Sequence, residues 1–270
     1  MARLLGLLAL TACLMAVVGF SSCCKRALAQ DGPNPAGDPA SNDLVWSYMV
    51  NDTTPDARIR KWTKTRLRSL MIVDQSRAKF HQQFSPLLHQ VGESIGVRID
   101  LCEAIVSGGQ VVPSSEPDCA GPHFDFHFVI TNGDWTEMEW HEAQLALQDQ
   151  ASALLAELRE LLASEEEGKT CRSAIRQSSE VPGQIELGVA VIDSKLPIVL
   201  GKCGTYTFLN MMGLYPFDGA HPLDDAKEAS SLAAFLVKRE PYGATYLLQQ
   251  LYAPAVSPGM QKAEFILTLQ

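Results

Sequence analysis

A chain of 270 residues, 46% of them hydrophobic, is long enough to bury one sizeable core or two small ones. Its formal net charge of -9 argues against nucleic acid as a partner. Beyond the leader no stretch approaches the about 18 uninterrupted apolar residues of a membrane span.

Residues 1–29 read as a signal peptide: Arg3 in a short basic start, an apolar run from Leu4 to Phe20, and Ala27-Leu28-Ala29 as a small-x-small cleavage signal before Gln30. The expected product is periplasmic or secreted. Phe20-Ser21-Ser22-Cys23 also resembles a bacterial lipoprotein box, so the alternative is a structural lipoprotein anchored in the envelope through an acylated Cys23. Cys13, Cys23 and Cys24 belong to the leader, which leaves Cys102, Cys119, Cys171 and Cys203. An even number in an exported chain points to disulfides, and four cysteines allow three connectivities. The pairing expected is Cys102 with Cys119, across a Gly- and Pro-rich loop, and Cys171 with Cys203, joining the approach to the central strand to the central helix.

Residues 30–57 form a tether and docking segment. The first part is Asp, Gly, Pro, Asn, Ala and Ser without apolar periodicity, residues 44–50 are an apolar patch, and Asp52-Thr53-Thr54-Pro55-Asp56 is turn chemistry. Residues 59–73 read as a strand pair or one long strand, with Lys64, Arg66 and Arg68 on an outward basic face. The run from Arg58 to Arg68 is either a solvated face or a contact for an anionic headgroup or glycan. Ser76 caps the next helix, in which Phe80, Phe84, Leu87, Leu88, Val91 and Ile95 recur at helical spacing until Gly96, with Pro86 inside it. A strand follows over residues 97–102. After the loop, Phe124, Phe126, Phe128 and Ile130 alternate with His123, Asp125 and His127, which predicts a strand with one aromatic and one polar face. Residues 140–163 carry the longest helical pattern, with Leu145, Leu154, Leu155, Leu158, Leu161 and Leu162 as its apolar stripe. Ile185, Leu187, Val189 and Val191 then recur with period two, and Phe208, Leu209 and Met212 form a helix that Gly213 stops. Residues 224–251 read as two helices broken at Glu240-Pro241, followed by a loop and a last apolar segment at 265–269. The fold class expected is α+β, a mostly antiparallel sheet packed against helices in a single domain over residues 58–270.

Residues two apart on a strand share a face, so His123, Asp125 and His127 are the candidate ligands of a zinc ion, with His221 as a further one. The plain alternative is the polar face of a half-buried strand. His141-Glu142 carries half of a zinc-helix signature, but Leu145 stands where the second His is required. No Gly-x-Ser-x-Gly elbow and no phosphate loop occurs. Tyr206, Asn210 and Tyr215 are the candidate lining of a cleft for a peptide or glycan, or else packing residues with polar tips.

Cys171, the run Gln184-Ile185-Glu186-Leu187-Gly188-Val189-Ala190-Val191, Lys202-Cys203, Met211-Met212-Gly213-Leu214 and the run Leu251-Tyr252-Ala253-Pro254-Ala255-Val256-Ser257-Pro258-Gly259-Met260 together resemble a family of exported bacterial proteins known mainly as a domain of unknown function. The resemblance implies a zinc-peptidase-like (zincin-like) fold whose central helix follows a cysteine. In that family the helix usually carries acidic residues and a glutamine before a Leu-Gly-Leu ending. Here the acidic positions fall on Tyr206 and Thr207 and the glutamine position on Asn210, and a His-Glu-x-x-His motif would fall on Thr205, Tyr206 and Leu209. The resemblance therefore implies an exported, non-catalytic zinc-peptidase-like protein that binds another envelope component, a protein, peptide or glycan. No cofactor is expected of it, and membrane contact only through a lipid anchor. The alternative is a metal-dependent hydrolase with zinc at His123, Asp125 and His127.

Overall fold

The computed structural model describes residues 39–50, 57–74, 79–107, 110–113, 119, 123–131, 135–147, 149–164, 171–193, 197–214 and 244–269. The leader with Cys23, the turn at 52–56, Ser76, Tyr215, His221 and the first of the two C-terminal helices lie outside these residues. In chain order the elements are α1 (Pro39–Met49), β1 (Arg66–Asp74), α2 (Lys79–Ile95), β2 (Arg98–Ser107), β3 (Gln110–Pro113), β4 (Phe126–Thr131), α3 (Glu137–Ala146), α4 (Asp149–Ser164), β5 (Cys171–Gln177), β6 (Ile185–Asp193), α5 (Pro197–Met211), α6 (Ala244–Leu251) and α7 (Lys262–Thr268).

The six strands form one sheet in the order β3-β2-β1-β4-β6-β5. Helices with a mixed sheet make the α+β class, but the sheet is not mostly antiparallel as expected. The junctions β1 with β2, β1 with β4 and β4 with β6 are parallel, and only the outer strands β3 and β5 run antiparallel to their neighbours. The physical reason is the connection: α2 carries the chain back along the sheet, so β2 re-enters in the direction of β1. Parallel strands need cover on both faces. One face of the sheet buries Leu67, Met71, Phe126, Phe128, Ile130 and Ala190 under residues of α1, α2, α5, α6 and α7. The other buries Leu70, Ile72, Ala104, Val129, Leu187 and Val189 under α3 and α4. The polar face expected of β4 is therefore a second buried face, and every residue from Phe126 to Thr131 is buried. Phe124 precedes the strand and packs with the second cluster, away from Phe126 and Phe128.

Three other expectations shift. The docking patch is a helix that begins at Pro39, inside the stretch read as tether, and Val45, Trp46, Met49 and Val50 enter the first core, Trp46 lying 5.7 Å from Phe265 between ring centroids. The long helix is two helices, because Leu147 takes an extended conformation and stays buried between them. The stripe that results is Trp140, Ala143, Leu147, Ala151, Leu155 and Leu158, which leaves Leu145 and Leu161 exposed. Helix α3 opens at Thr136, whose hydroxyl accepts from the Glu139 N–H while the Glu139 carboxylate accepts from the Thr136 N–H, a capping box. Finally, part of the loop after β2 pairs back as β3, through Ala104 with Pro113 to Ser107 with Gln110.

Both disulfides form with the expected partners. Cys102 and Cys119 have Cα atoms 5.5 Å apart, and Cys171 and Cys203 are 5.7 Å apart.

Candidate functional site

Helix α5 lies on the first face of the sheet against β5 and β6. It approaches closely at Gly188, where a Cβ would sit 3.1 Å from the Met211 side chain and 3.2 Å from Phe126 Cβ. The Cys171–Cys203 disulfide ties the beginning of β5 to the helix. About two turns further on, the Asn210 amide donates to Ser173 Oγ at 2.8 Å, so the helix is bonded to the outermost strand at two places. Tyr206 and Asn210 stand one turn apart and both are half-buried, whereas Thr205, Thr207 and Leu209 are buried. The Thr207 hydroxyl donates to the Cys203 carbonyl at 2.7 Å, within its own helix. A zinc ion takes imidazole, thiolate or carboxylate ligands. Tyr206, Thr207 and Asn210 offer none of these, so this part of α5 does not fit the zinc that a zinc-peptidase resemblance would imply.

The helix ends in a junction built from the sequence runs that carry the family resemblance. Gly213 has φ of +99°, a left-handed conformation, and a Cβ there would lie 2.0 Å from the Arg60 carbonyl oxygen. Its N–H bonds the Asn210 carbonyl at 2.9 Å and the Leu214 N–H bonds that of Leu209 at 3.1 Å, the pair that closes a Schellman motif. Trp62 Nε1 donates to the Met211 carbonyl at 2.8 Å, and the Tyr252 hydroxyl donates to that of Met212 at 3.0 Å. Burial raises the Tyr252 pKa, against the Trp62 N–H that approaches its oxygen. Beside them Lys61 is buried, its ammonium donating to the Val256 carbonyl at 2.8 Å and lying 5.2 Å from the centre of the Tyr252 ring. Burial lowers its pKa. Nothing in the charge pattern marks Lys61 as buried. The signal lies in long-range pairing, since its backbone bonds Gly183 and Ile185 in the turn that enters β6.

The strand trio occupies three environments. His123 is exposed. Asp125 is buried, accepting from the Lys64 ammonium and, at 2.7 Å, from the Arg68 N–H. His127 is fully buried, and neither ring nitrogen has a hydrogen bond of ordinary geometry among the described residues. Burial pushes its pKa down to about 4, although the Gly188 carbonyl and the Asp125 charge pull the other way. Among the described residues no group of three or more His, Cys, Asp or Glu is placed to hold a metal ion. His141 is exposed on α3. Among the described residues no helix is long and apolar enough to cross a membrane.

Comparison of the chain with protein-family models, with curated proteins and with solved structures gives no match.

Proposed function

We propose that this chain is an exported, non-catalytic, zinc-peptidase-like protein that binds an extended peptide segment of another envelope component along β5. The observation that carries this reading is the placement of β5. It is the last strand in the order of the sheet, and it lies beside the half-buried Tyr206 and Asn210 of α5. An outer strand offers a row of backbone donors and acceptors to an incoming strand, and neighbouring side chains supply selectivity. The zincin-like part of the reading is supported by the order of elements: a parallel β1-α2-β2 unit, an antiparallel outer strand, and a helix following the strand beside it. The export part is supported by the leader pattern and by two disulfides, which persist in oxidising compartments. Mass analysis of the mature N-terminus distinguishes a chain beginning at Gln30 from one acylated at Cys23.

The test is hydrogen exchange on the purified protein with a panel of extended peptides. A binder slows exchange of the β5 amides, and Tyr206→Ala or Asn210→Ala weakens it several-fold. Binding that leaves β5 exchange unchanged overturns the proposed site. Metal-dependent hydrolysis by the purified protein overturns the non-catalytic reading.

A further inference from the structure

The cover on the second face of the sheet is one continuous stretch of chain. It enters α3 after β4 and leaves α4 before β5, and it gives that face Trp140, Ala143, Leu147, Ala151, Leu155 and Leu158. The fully buried tryptophans and phenylalanines, Trp46, Trp62, Phe84 and Phe128 among them, all belong to the first core. The two disulfides bracket the stretch: Cys119 is bound to β2 before it, Cys171 to α5 after it, and no cysteine lies between. Lifting α3 and α4 therefore breaks no cross-link and no strand pairing, and it loses less apolar burial than opening the first core would.

Under this cover lies His127, fully buried, with both ring nitrogens lacking a hydrogen bond of ordinary geometry among the described residues. Its register partners are Leu70 of β1 and Val189 of β6, both in the second core, and the Phe124 ring lies 6.1 Å away. Two groups favour charge on the imidazole, the Gly188 carbonyl and Asp125, and Asp125 already accepts from Lys64 and from the Arg68 N–H. The other charged residues at this alternation are Arg66, Arg68 and Asp74 of β1, Arg98 and Asp100 of β2, Arg172 and Arg176 of β5, and Asp193 of β6. Asp125 is the one whose charge acts on His127. The acidic residues of α3 and α4 are exposed or half-buried, outside the inward stripe, and Glu137 pairs with Arg159, whose guanidinium lies 5.1 Å from the centre of the Trp140 ring.

We propose that α3 and α4 act as one cover that lifts from the sheet when His127 takes up a proton, while the sheet and the first core stay closed. In the closed form an imidazolium is a buried charge whose interacting carboxylate is already shared, and lifting the cover lets water reach it. Burial holds the closed form's pKa at about 4, against the ordinary 6.5 of a wet ring. The closed form is therefore fully favoured above pH ~6.5 and loses ground as the pH falls toward ~4. Each pKa unit is tenfold, so the opening constant rises about 50- to 100-fold between pH ~7.5 and pH ~4.5. This device is independent of the peptide site proposed at β5, and either can fail alone.

The test is hydrogen exchange on the full mature protein at pH ~7.5 and pH ~4.5, read as protection factors corrected for the intrinsic pH dependence of exchange. The expected result is a fall of about 50- to 100-fold in the protection of α3 and α4 amides, with amides of β1, α2 and α5 losing less than about threefold. His127→Leu and His127→Gln stay uncharged over this range, and either variant, folded at neutral pH, is expected to lose the fall in α3 and α4. A fall of equal size in β1, α2 and α5 means global unfolding and overturns the proposal. Unchanged protection in α3 and α4, or a full-sized fall in a folded variant, overturns it as well.

Discussion

His127 is the residue whose chemistry departs most from what its type suggests. An imidazole in the centre of a covered sheet stays neutral, and its pKa of about 4 lies below the ordinary 6.5. Between those values the unfolded chain takes up a proton that the folded chain refuses, so stability is full above pH ~6.5 and falls as the pH drops toward ~4. The loss at pH ~4.5 is about 2 to 3 kcal/mol. Urea unfolding of the wild type and of His127→Leu, at neutral pH and at pH ~4.5, reads it directly, because the variant lacks this component. Equal pH dependence in the two proteins refutes the buried, neutral assignment. Gly213 is constrained by backbone rather than charge. Its left-handed φ and the Arg60 carbonyl 2.0 Å from a Cβ predict that Gly213→Ala costs at least about 2 kcal/mol, measured as a lower urea midpoint.

At the scale of elements, the end of α5 depends on groups far away in the chain. Its last carbonyls, Met211 and Met212, are satisfied by Trp62 and Tyr252 rather than by water. Trp62→Phe keeps most of the apolar bulk and leaves the Met211 carbonyl without its donor, so a loss of about 1 to 3 kcal/mol is expected in equilibrium unfolding. The beginning of the helix's contact with β5 depends on the disulfide. Cys171–Cys203 closes a separation of 32 residues, against 17 for Cys102–Cys119. On chain entropy each is worth about 3 to 4 kcal/mol, the longer loop slightly more. Paired serine variants, compared by thermal unfolding, are expected to rank in that order.

For the molecule as a whole, α1 and α7 join the two ends of the described fold. Trp46 packs on Phe265, and Lys262 pairs with Asp43 at 3.2 Å. The exposed ion pair contributes little. The buried ring contributes most, so Trp46→Ala is expected to cost about 3 to 5 kcal/mol and to speed exchange of α7 amides along with those of α1. Unchanged protection in α7 would show that the two helices do not open as a unit.

Much of this was legible from local pattern. The strands β1, β2, β4 and β6, the helical spacing of Phe84, Leu88, Val91 and Ile95 and the stop at Gly213 follow from periodicity and turn chemistry, and cysteine arithmetic points to two disulfides while leaving three connectivities, of which the expected one formed; α1, β3, β5 and the break at Leu147 carry no such local signal. Strand direction was not legible, because apolar alternation is the same for parallel and antiparallel neighbours and α2 alone decides how β2 returns. The buried state of His127 was hidden for a related reason. A polar alternate face looks solvated in sequence, and only the packing of α3 and α4 against the sheet makes it interior. The roles of Lys61, Trp62 and Tyr252 are also tertiary, since they bond carbonyls about 150 to 200 positions away or cap a helix from the C-terminal segment. The chain by itself thus determined the most strongly patterned of its strands and helices, the presence of disulfides and its acidic balance, because these are local or compositional. The tertiary structure decided which strand is outermost and which charges are buried, because each depends on which distant segments are neighbours.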